Sequence, residues 1–311
     1  MSIEWLDMTL PPVVVDERRA YVGAFGVTLA GPMDPFAYFA NQQILNNTNT
    51  TSVLECVGPL SFKCTQAQHF AVTGGFAKIL VNQTPVAALF SVRAGDRVEI
   101  LPHAYRLRFY IGCKGGFDTP QVFDSQGHVQ REGFGGIHND GRGLDTTVPT
   151  AYSRHHGVIQ VKELEKMHIW QARLDWVYRD LHCIPFIPAC QWTELTTVQQ
   201  HCLSSYAFQV SPDSNRMGIR MGAQALLAHD MTLANSQVVA LGSIQITPQG
   251  EAIVMMNDKQ TMGGYPVAGI VSKMGRARLA QHQPLNAVRF KQVSVENAYA
   301  QTTLFKRLSV R

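Results

Sequence analysis

Charge is scarce in this sequence. Only 16% of the residues are Asp, Glu, Lys or Arg, against roughly 25% in a typical soluble domain. A weakly charged surface suits a sizeable partner interface. The 27 basic residues barely exceed the 23 acidic ones, for a net charge of +4. No run of Lys or Arg occurs, which argues against a nucleic-acid surface. Long hydrophobic runs are missing too. No stretch approaches the roughly 18 apolar residues of a membrane helix, so no membrane association is expected. Met1-Ser2-Ile3-Glu4-Trp5 has neither a basic n-region nor an apolar h-region, so a cytoplasmic protein without a signal peptide is expected. Cysteine is limited to six residues, at 56, 64, 113, 183, 190 and 202, none in CxxC spacing. Free, buried thiols are the expectation, with no zinc or other metal site. Also absent are a phosphate-binding GxxxxGK[ST], a GxGxxG between strand and helix, and a GxSxG elbow. No Ser/His/Asp triad can be assembled from the spacing. His155-His156 sits in a polar connector and reads as solvated.

What remains is a chain of 311 residues, 45% hydrophobic, long enough for two domains and a core that needs no disulfide or metal. Short strands broken by Gly, Pro and Asn dominate: 70–73 before Gly74-Gly75, 77–81 before Asn82-Gln83, 97–101, and 106–111 before Gly115-Gly116. The second half repeats the style at 238–241, 243–246, 252–256 and 287–290. Turns every 8–12 residues or so predict a mainly β protein of antiparallel, barrel-like or sandwiched sheets. Helices are few and short. Asp34-Pro35 predicts an N-cap with Pro at N1, followed by Phe36, Ala40 and Ile44 on one face and a stop at Asn46-Asn47. Further helices are predicted at 193–204 and within 161–181. The polar stretch 145–150 marks a boundary between an N-terminal β domain, 1–147, and a C-terminal β-barrel domain, 148–311.

Three segments carry candidate chemistry. In Gly31-Pro32-Met33-Asp34-Pro35, Asp34 either only caps a helix or opens a site for an anion at the helix N-terminus. An Asp already there competes with an anion, which favours the cap. In 211–218, Arg216 either offers its planar fork to a carboxylate or phosphate, or lies buried at a domain junction against backbone carbonyls. The strongest signal is Met256-Asn257-Asp258-Lys259-Gln260-Thr261-Met262-Gly263-Gly264-Tyr265-Pro266. It places dense hydrogen-bonding groups, then Gly-Gly, directly after an apolar strand. Asp258 is its foremost charged member.

Taken in order, several stretches resemble the allophanate hydrolase subunit 2 family. That family includes the C subunit of 5-oxoprolinase and the antagonist of a sporulation kinase inhibitor, and related carboxyltransferase domains occur in biotin-dependent urea carboxylases. The resemblance rests on Gly26-Val27, Gly31-Pro32-Met33-Asp34, Ala40-Asn41, Leu54-Glu55 with Gly58-Pro59, Tyr110-Ile111 with Gly115-Gly116-Phe117-Asp118, and Gly135-Gly136 with Gly141-Arg142. In the second half it rests on Ser214-Asn215-Arg216-Met217-Gly218, Gly242-Ser243-Ile244-Gln245, Asp258-Lys259-Gln260-Thr261 with Gly263-Gly264-Tyr265-Pro266, and Leu279-Ala280-Gln281. It implies a cyclophilin-like barrel and a non-autonomous subunit. The complex would hydrolyse ATP, with or without Mg, to open the lactam of 5-oxoproline to glutamate. The partners implied are a subunit 1-type protein, similar to the B subunit of 5-oxoprolinase, and a third protein similar to its A subunit, with no cofactor on this chain. With the loop chemistry it assigns Asp258, Asn257 and Arg216 to catalysis. Ser214, Asn215, Gln260, Thr261, Gly263, Gly264, Tyr265, Asp34 and Asn41 are assigned to substrate binding.

Departures from the family pattern fall at 15–19, 124–128, 186–190 and 273–276. They keep two alternatives open. One is a regulatory protein that sequesters a subunit 1-type partner. The other is a carboxyltransferase-type module served by biotin from elsewhere.

Overall fold

The turns break the chain where a left-handed backbone is needed. Asn82 and Gln83 have φ of +49° and +67° and join two strands in a tight hairpin, in which Val81 faces Thr84. Both are φ-positive positions of a two-residue turn. In this computed structural model residues 2–17, 19–133, 135, 147–149, 159–222, 224, 227–228 and 235–307 are described. Gly136, Gly141, Arg142, His155 and His156, singled out in the sequence, lie outside them. The chain forms two compact units, Met1–Val22 with Leu29–Trp176, and Gly23–Thr28 with Val177–Arg311.

The first unit holds strands β1 (Ser2–Met8), β2 (Val13–Val15), β3 (Val53–Val57), β4 (Leu60–Cys64), β5 (Gln68–Gly74), β6 (Phe76–Val81), β7 (Thr84–Val86), β8 (Leu89–Val92), β9 (Arg97–Pro102), β10 (Arg108–Cys113) and β11 (Thr147–Pro149). They build two antiparallel sheets, β11-β1-β4-β9-β6-β7 and β2-β3-β10-β5-β8. Between the sheets lies one core that includes Ile3, Phe62, Phe70, Val72, Val98, Ile100, Phe109 and Ile111. Alternation along β10 sends Phe109 and Ile111 inward and Tyr110 to the opposite face.

That opposite face is covered by α1 (Pro35–Leu45). Asp34 caps it as expected, its Oδ1 accepting the N–H groups of Phe36 and Ala37 at 3.0 Å each. Asn46, in the left-handed region, closes the other end. Asn41 then pins the helix to the sheet, its Nδ2 donating to the carbonyls of Ala71 at 2.9 Å and Tyr110 at 3.3 Å. The approach is close enough that a Cβ at Gly112 would lie 1.9 Å from Asn41 Oδ1. Opposite Asp34, Tyr110 accepts the Asp34 N–H and donates to Glu55, both at 2.7 Å. Glu55 Oε2 also accepts the Met33 N–H at 2.8 Å.

A long helix, α2 (Val161–Tyr178), follows. Its Trp170 meets Phe39 of α1 edge to face at 5.6 Å, and its Met167 sulfur lies 3.2 Å from the Leu89 N–H. These contacts carry the first unit on to Trp176, past the boundary expected at 147/148.

The second unit contains β12 (Cys183–Pro188), β13 (Phe208–Gln209), β14 (Gly218–Arg220), β15 (Gln237–Val238), β16 (Ser243–Ile246), β17 (Ala252–Met255), β18 (Met262–Gly263), β19 (Val267–Val271) and β20 (Ala287–Gln292). Seven strands form a sheet in the order β13-β20-β12-β19-β16-β17-β14, while β15 and β18 pair apart from it. Among the described residues only the β12–β20 pairing is parallel. Phe186, Phe208 and Phe290 stack edge-on in the core, with centroids 5.5–6.1 Å apart. Among the described residues the unit also has the α-helices α3 (Thr197–Ser205), opened by a Thr196/Gln199 capping box, α4 (Lys273–Ala280) and α5 (Val295–Arg307). The architecture is mainly β, as expected, but α2 and α5 run to 18 and 13 residues.

The six cysteines are unpaired. Cys56, Cys64, Cys113 and Cys202 are buried, Cys183 is half-buried and Cys190 is exposed. Burial pushes the Cys64 thiol up to about 12, so it is inert as a nucleophile at neutral pH. Among the described residues no helix is long and apolar enough to cross a membrane.

Two substitutions test the helix-on-sheet joint by urea unfolding. Asp34→Ala is expected to cost about 0.5–2 kcal/mol as a lost cap. Gly112→Ala is expected to cost about 1–3 kcal/mol or more through overpacking against Asn41.

Candidate functional site

In the second unit β14 and β17 run antiparallel, with Gly218 opposite Met255 and Arg220 opposite Ile253. Polar side chains build the turn that enters β14. Asn215 Oδ1 accepts the Met217 N–H at 2.8 Å, and Ser214 Oγ accepts the Arg220 N–H at 3.0 Å. Both are local side-chain bonds of the kind that shape turns. Pairing with the other segment continues beyond the strands: Met256 N–H donates to Met217 O, and Asp258 N–H to Arg216 O, both at 2.9 Å.

The side chains then repeat the tie. Arg216 Nε donates to Asp258 Oδ2 at 2.8 Å and its Nη2 to Oδ1 at 3.1 Å. This is a two-pronged, charge-assisted pair. The two side chains are 15% and 10% exposed, so the pair is largely out of water and only weakly screened. The planar fork expected of Arg216 does meet a carboxylate. Its fork is engaged by an internal carboxylate rather than offered to a ligand, and that carboxylate belongs to the very loop the sequence singled out.

Beyond Asp258 the loop turns and forms the short β15–β18 ribbon. Asn257 and Lys259 are buried, while Gln260, Gly264 and Tyr265 are exposed. The Thr261 carbonyl accepts the Val239 N–H at 3.0 Å. Gly263 has no room for a side chain: a Cβ there would lie 2.7 Å from Gln245 Nε2 and 2.8 Å from Val239 Cγ2. The Tyr265 carbonyl faces the amide nitrogens of Gln237 and Gln245, each at 3.4 Å. Gln237 accepts in turn from Gln191 at 3.1 Å.

The structure therefore gathers Ser214, Asn215, Arg216, Asn257, Asp258, Gln260, Thr261, Gly263, Gly264 and Tyr265 on adjoining segments of one unit. Asp34 and Asn41 lie in the other. Both are fully buried, and their side chains serve the α1 cap and the joint to the sheet. The anion site considered at Asp34 is filled by the carboxylate itself. Sequence reasoning missed Lys259, Gln245, Gln237 and Gln191. Gln245 did carry a signal, a carboxamide within the apolar strand Ser243-Ile244-Gln245-Ile246. Among the described residues no group of three His, Cys, Asp or Glu side chains is placed to hold a metal ion.

The family model for the carboxyltransferase domain, subdomain A and B, matches residues 25–292. The chain belongs to this carboxyltransferase-domain family. It is similar to the C subunit of 5-oxoprolinase from Haemophilus influenzae, with 27% identity over 299 residues that cover 95% of this chain and 93% of that one. It is similar to the protein of the same name from Escherichia coli, with 27% identity over 280 residues, 88% of this chain and 85% of that one. In fold it matches the crystal structure of the K. lactis urea amidolyase, with a TM-score of 0.80 and 19% identity. All of this chain is covered there, against 20% of that much longer one. The carboxyltransferase-domain fold and the loop after β17 thus stand together in a chain of nearly the same length as its 5-oxoprolinase relatives.

A double-mutant cycle checks the clamp. Arg216→Met and Asp258→Asn are each expected to cost about 1.5–3 kcal/mol in chemical unfolding, as hydrogen bonds to charged groups. The double variant should be no worse than the poorer single one, giving a coupling of at least about 1.5 kcal/mol, the cost of the milder single variant. Strict additivity would remove the clamp from the account.

Proposed function

We propose that this chain is a non-autonomous subunit of an ATP-dependent 5-oxoprolinase-type complex that opens the lactam of 5-oxoproline to glutamate. The observation that carries the reading is the end-to-end likeness to two proteins named as the C subunit of 5-oxoprolinase. Their designation as subunits supports an assembly with other proteins, here partners similar to the A and B subunits of that enzyme. The low share of charged residues, 16%, supports an extensive interface. ATP dependence supports a cytoplasmic setting. The curled seven-stranded sheet of the second unit is read as the cyclophilin-like barrel.

The chemistry fits a division of labour. A lactam is a resonance-stabilised amide, so its carbonyl must be activated before water can open the ring. ATP consumed by the complex would supply that activation, and this chain is assigned no nucleotide site of its own. Its contribution is positioning. The Arg216–Asp258 clamp holds the 256–265 loop in one geometry, and Asn257, Gln260 and Thr261 orient the small substrate. On this reading Arg216 and Asp258 act as positioning residues.

A second reading is supported by the family's description and by the fold shared with urea amidolyase. In it the same loop serves transfer of a carboxyl group from a carrier. Reconstitution separates the readings. The chain is combined with its two partner proteins, and glutamate is measured after addition of 5-oxoproline and ATP. Glutamate should form only when all three proteins are present. Asp258→Asn should lower kcat/KM about tenfold or more, the rate equivalent of roughly 1.4 kcal/mol. An intact assembly without glutamate would move the reading to a sequestering role. Transfer of labelled carboxyl to an acceptor in the presence of a biotinylated carrier would move it to carboxyl transfer.

A further inference from the structure

Lys259 is out of place by ordinary rules. It lies between Asp258 and Gln260, and only 7% of it is exposed. Its Nζ has one hydrogen-bond acceptor, the Gln260 carbonyl at 3.3 Å. An ammonium has three donors, so two are without a protein acceptor among the described residues. No carboxylate among those residues pairs with it either. The adjacent Asp258 already takes both prongs of Arg216. A buried charge without a partner is costly, and burial alone pulls the Lys259 amine below its usual 10.5.

Lys114 shows the contrast. It donates to the carbonyls of Leu45 and Asn46, at 2.5 and 3.2 Å, and although burial pulls this amine down as well, the negative charge of Glu163 works against that shift. Lys259 has no such support. Residues of the same loop, Gln260, Gly264 and Tyr265, are exposed, and the one acceptor of the amine is the carbonyl of the first of them. Four residues further along the loop, the amide nitrogens of Gln245 and Gln260 lie 2.7 and 3.5 Å from where a Cβ of Gly263 would stand.

We propose that Lys259 is the anchor for a small carboxylate anion at the loop after β17. Under the reading above, on which this identification rests, that anion is the carboxylate of 5-oxoproline. A bound carboxylate would complete the hydrogen bonding of the ammonium and restore its charge. Two consequences follow from the sign of the linkage. Ligand-free, the amine deprotonates below 10.5, and a bound anion moves that titration upward. Anion affinity in turn declines as pH rises through the ligand-free titration of Lys259.

The test uses the full chain, labelled with 13C-lysine and assembled with its two partner proteins. Lys259→Arg assigns the Lys259 Cε signal, which is titrated by NMR alone, with 5-oxoproline, and with bicarbonate. 5-Oxoproline should raise the Lys259 titration by a unit or more. Its Kd, measured by calorimetry, should rise at least tenfold in Lys259→Met, with the melting temperature of the variant no lower than that of the parent. Lys259→Arg should keep most of the affinity.

If 5-oxoproline binds Lys259→Met as well as the parent and glutamate still forms, the anchor is wrong and the 5-oxoprolinase reading stands. If bicarbonate shifts Lys259 while 5-oxoproline does not bind, the anchor stands and that reading falls. Should neither anion move the Lys259 titration, the inference is overturned.

Discussion

The double tie between residues 216 and 258 organises the candidate site. One tie is main chain, Asp258 N–H to Arg216 O, and the other is the guanidinium on the carboxylate. Together they extend the β14–β17 pairing past the last strand residue, so a loop that leaves a core strand is held as though it were still in the sheet. The tie also settles the local charge. A guanidinium and a carboxylate locked together are neutral as a pair, and the charge left at the turn is that of Lys259. Remove the fork and the loop loses both its shape and its balance of charge.

Buried polar residues in the first unit do a different job with the same chemical groups. Asp34 accepts two N–H groups of its own helix, and Asn41 donates to carbonyls of the two strands beneath it. These partners are backbone, with the Thr73 hydroxyl at 3.4 Å from Asn41 Nδ2 besides, and neither side chain reaches the surface. A binding residue needs a polar atom directed away from its own scaffold. Asp34 and Asn41 are fully buried in that scaffold, so their role is to seat α1 on the sheet.

Legibility in the sequence followed the range of the interaction. Strands 243–246 and 252–255 were readable because apolar runs ended at turn residues. The start of α1 was readable because Asp34-Pro35 is a local signal that needs no partner. Helix α5 was missed because its apolar positions are interspersed with Asn297, Gln301, Thr302 and Thr303, and only Phe305 of its described residues is buried. Helix α4 was missed for another reason: Lys273-Met274-Gly275-Arg276 looks like a loop, and it is the Ser272 cap and the packing of Met274 and Leu279 that stabilise it. The boundary at 147/148 was drawn from polar composition, whereas the docking of Trp170 on Phe39 joins residues far apart in sequence. The loop at 256–266 was legible as a site from its composition. The pairing of Arg216 with Asp258, 42 residues away, was not, since no local pattern says which carboxylate a guanidinium will meet.

The same geometry argues for what Asp258 does not do. A carboxylate acting as general base needs a lone pair directed at the proton it removes. Both oxygens of Asp258 already accept from one guanidinium, and the main-chain bond to Arg216 O fixes where the residue sits. Each oxygen keeps a further lone pair, but swinging the carboxylate toward a substrate would break a largely desolvated ion pair and leave Arg216 uncompensated, which is far more costly than turning a solvated carboxylate. A rigid neutral clamp beside an uncompensated amine therefore divides the work within the loop. The clamp sets position, and the amine supplies attraction for an anion.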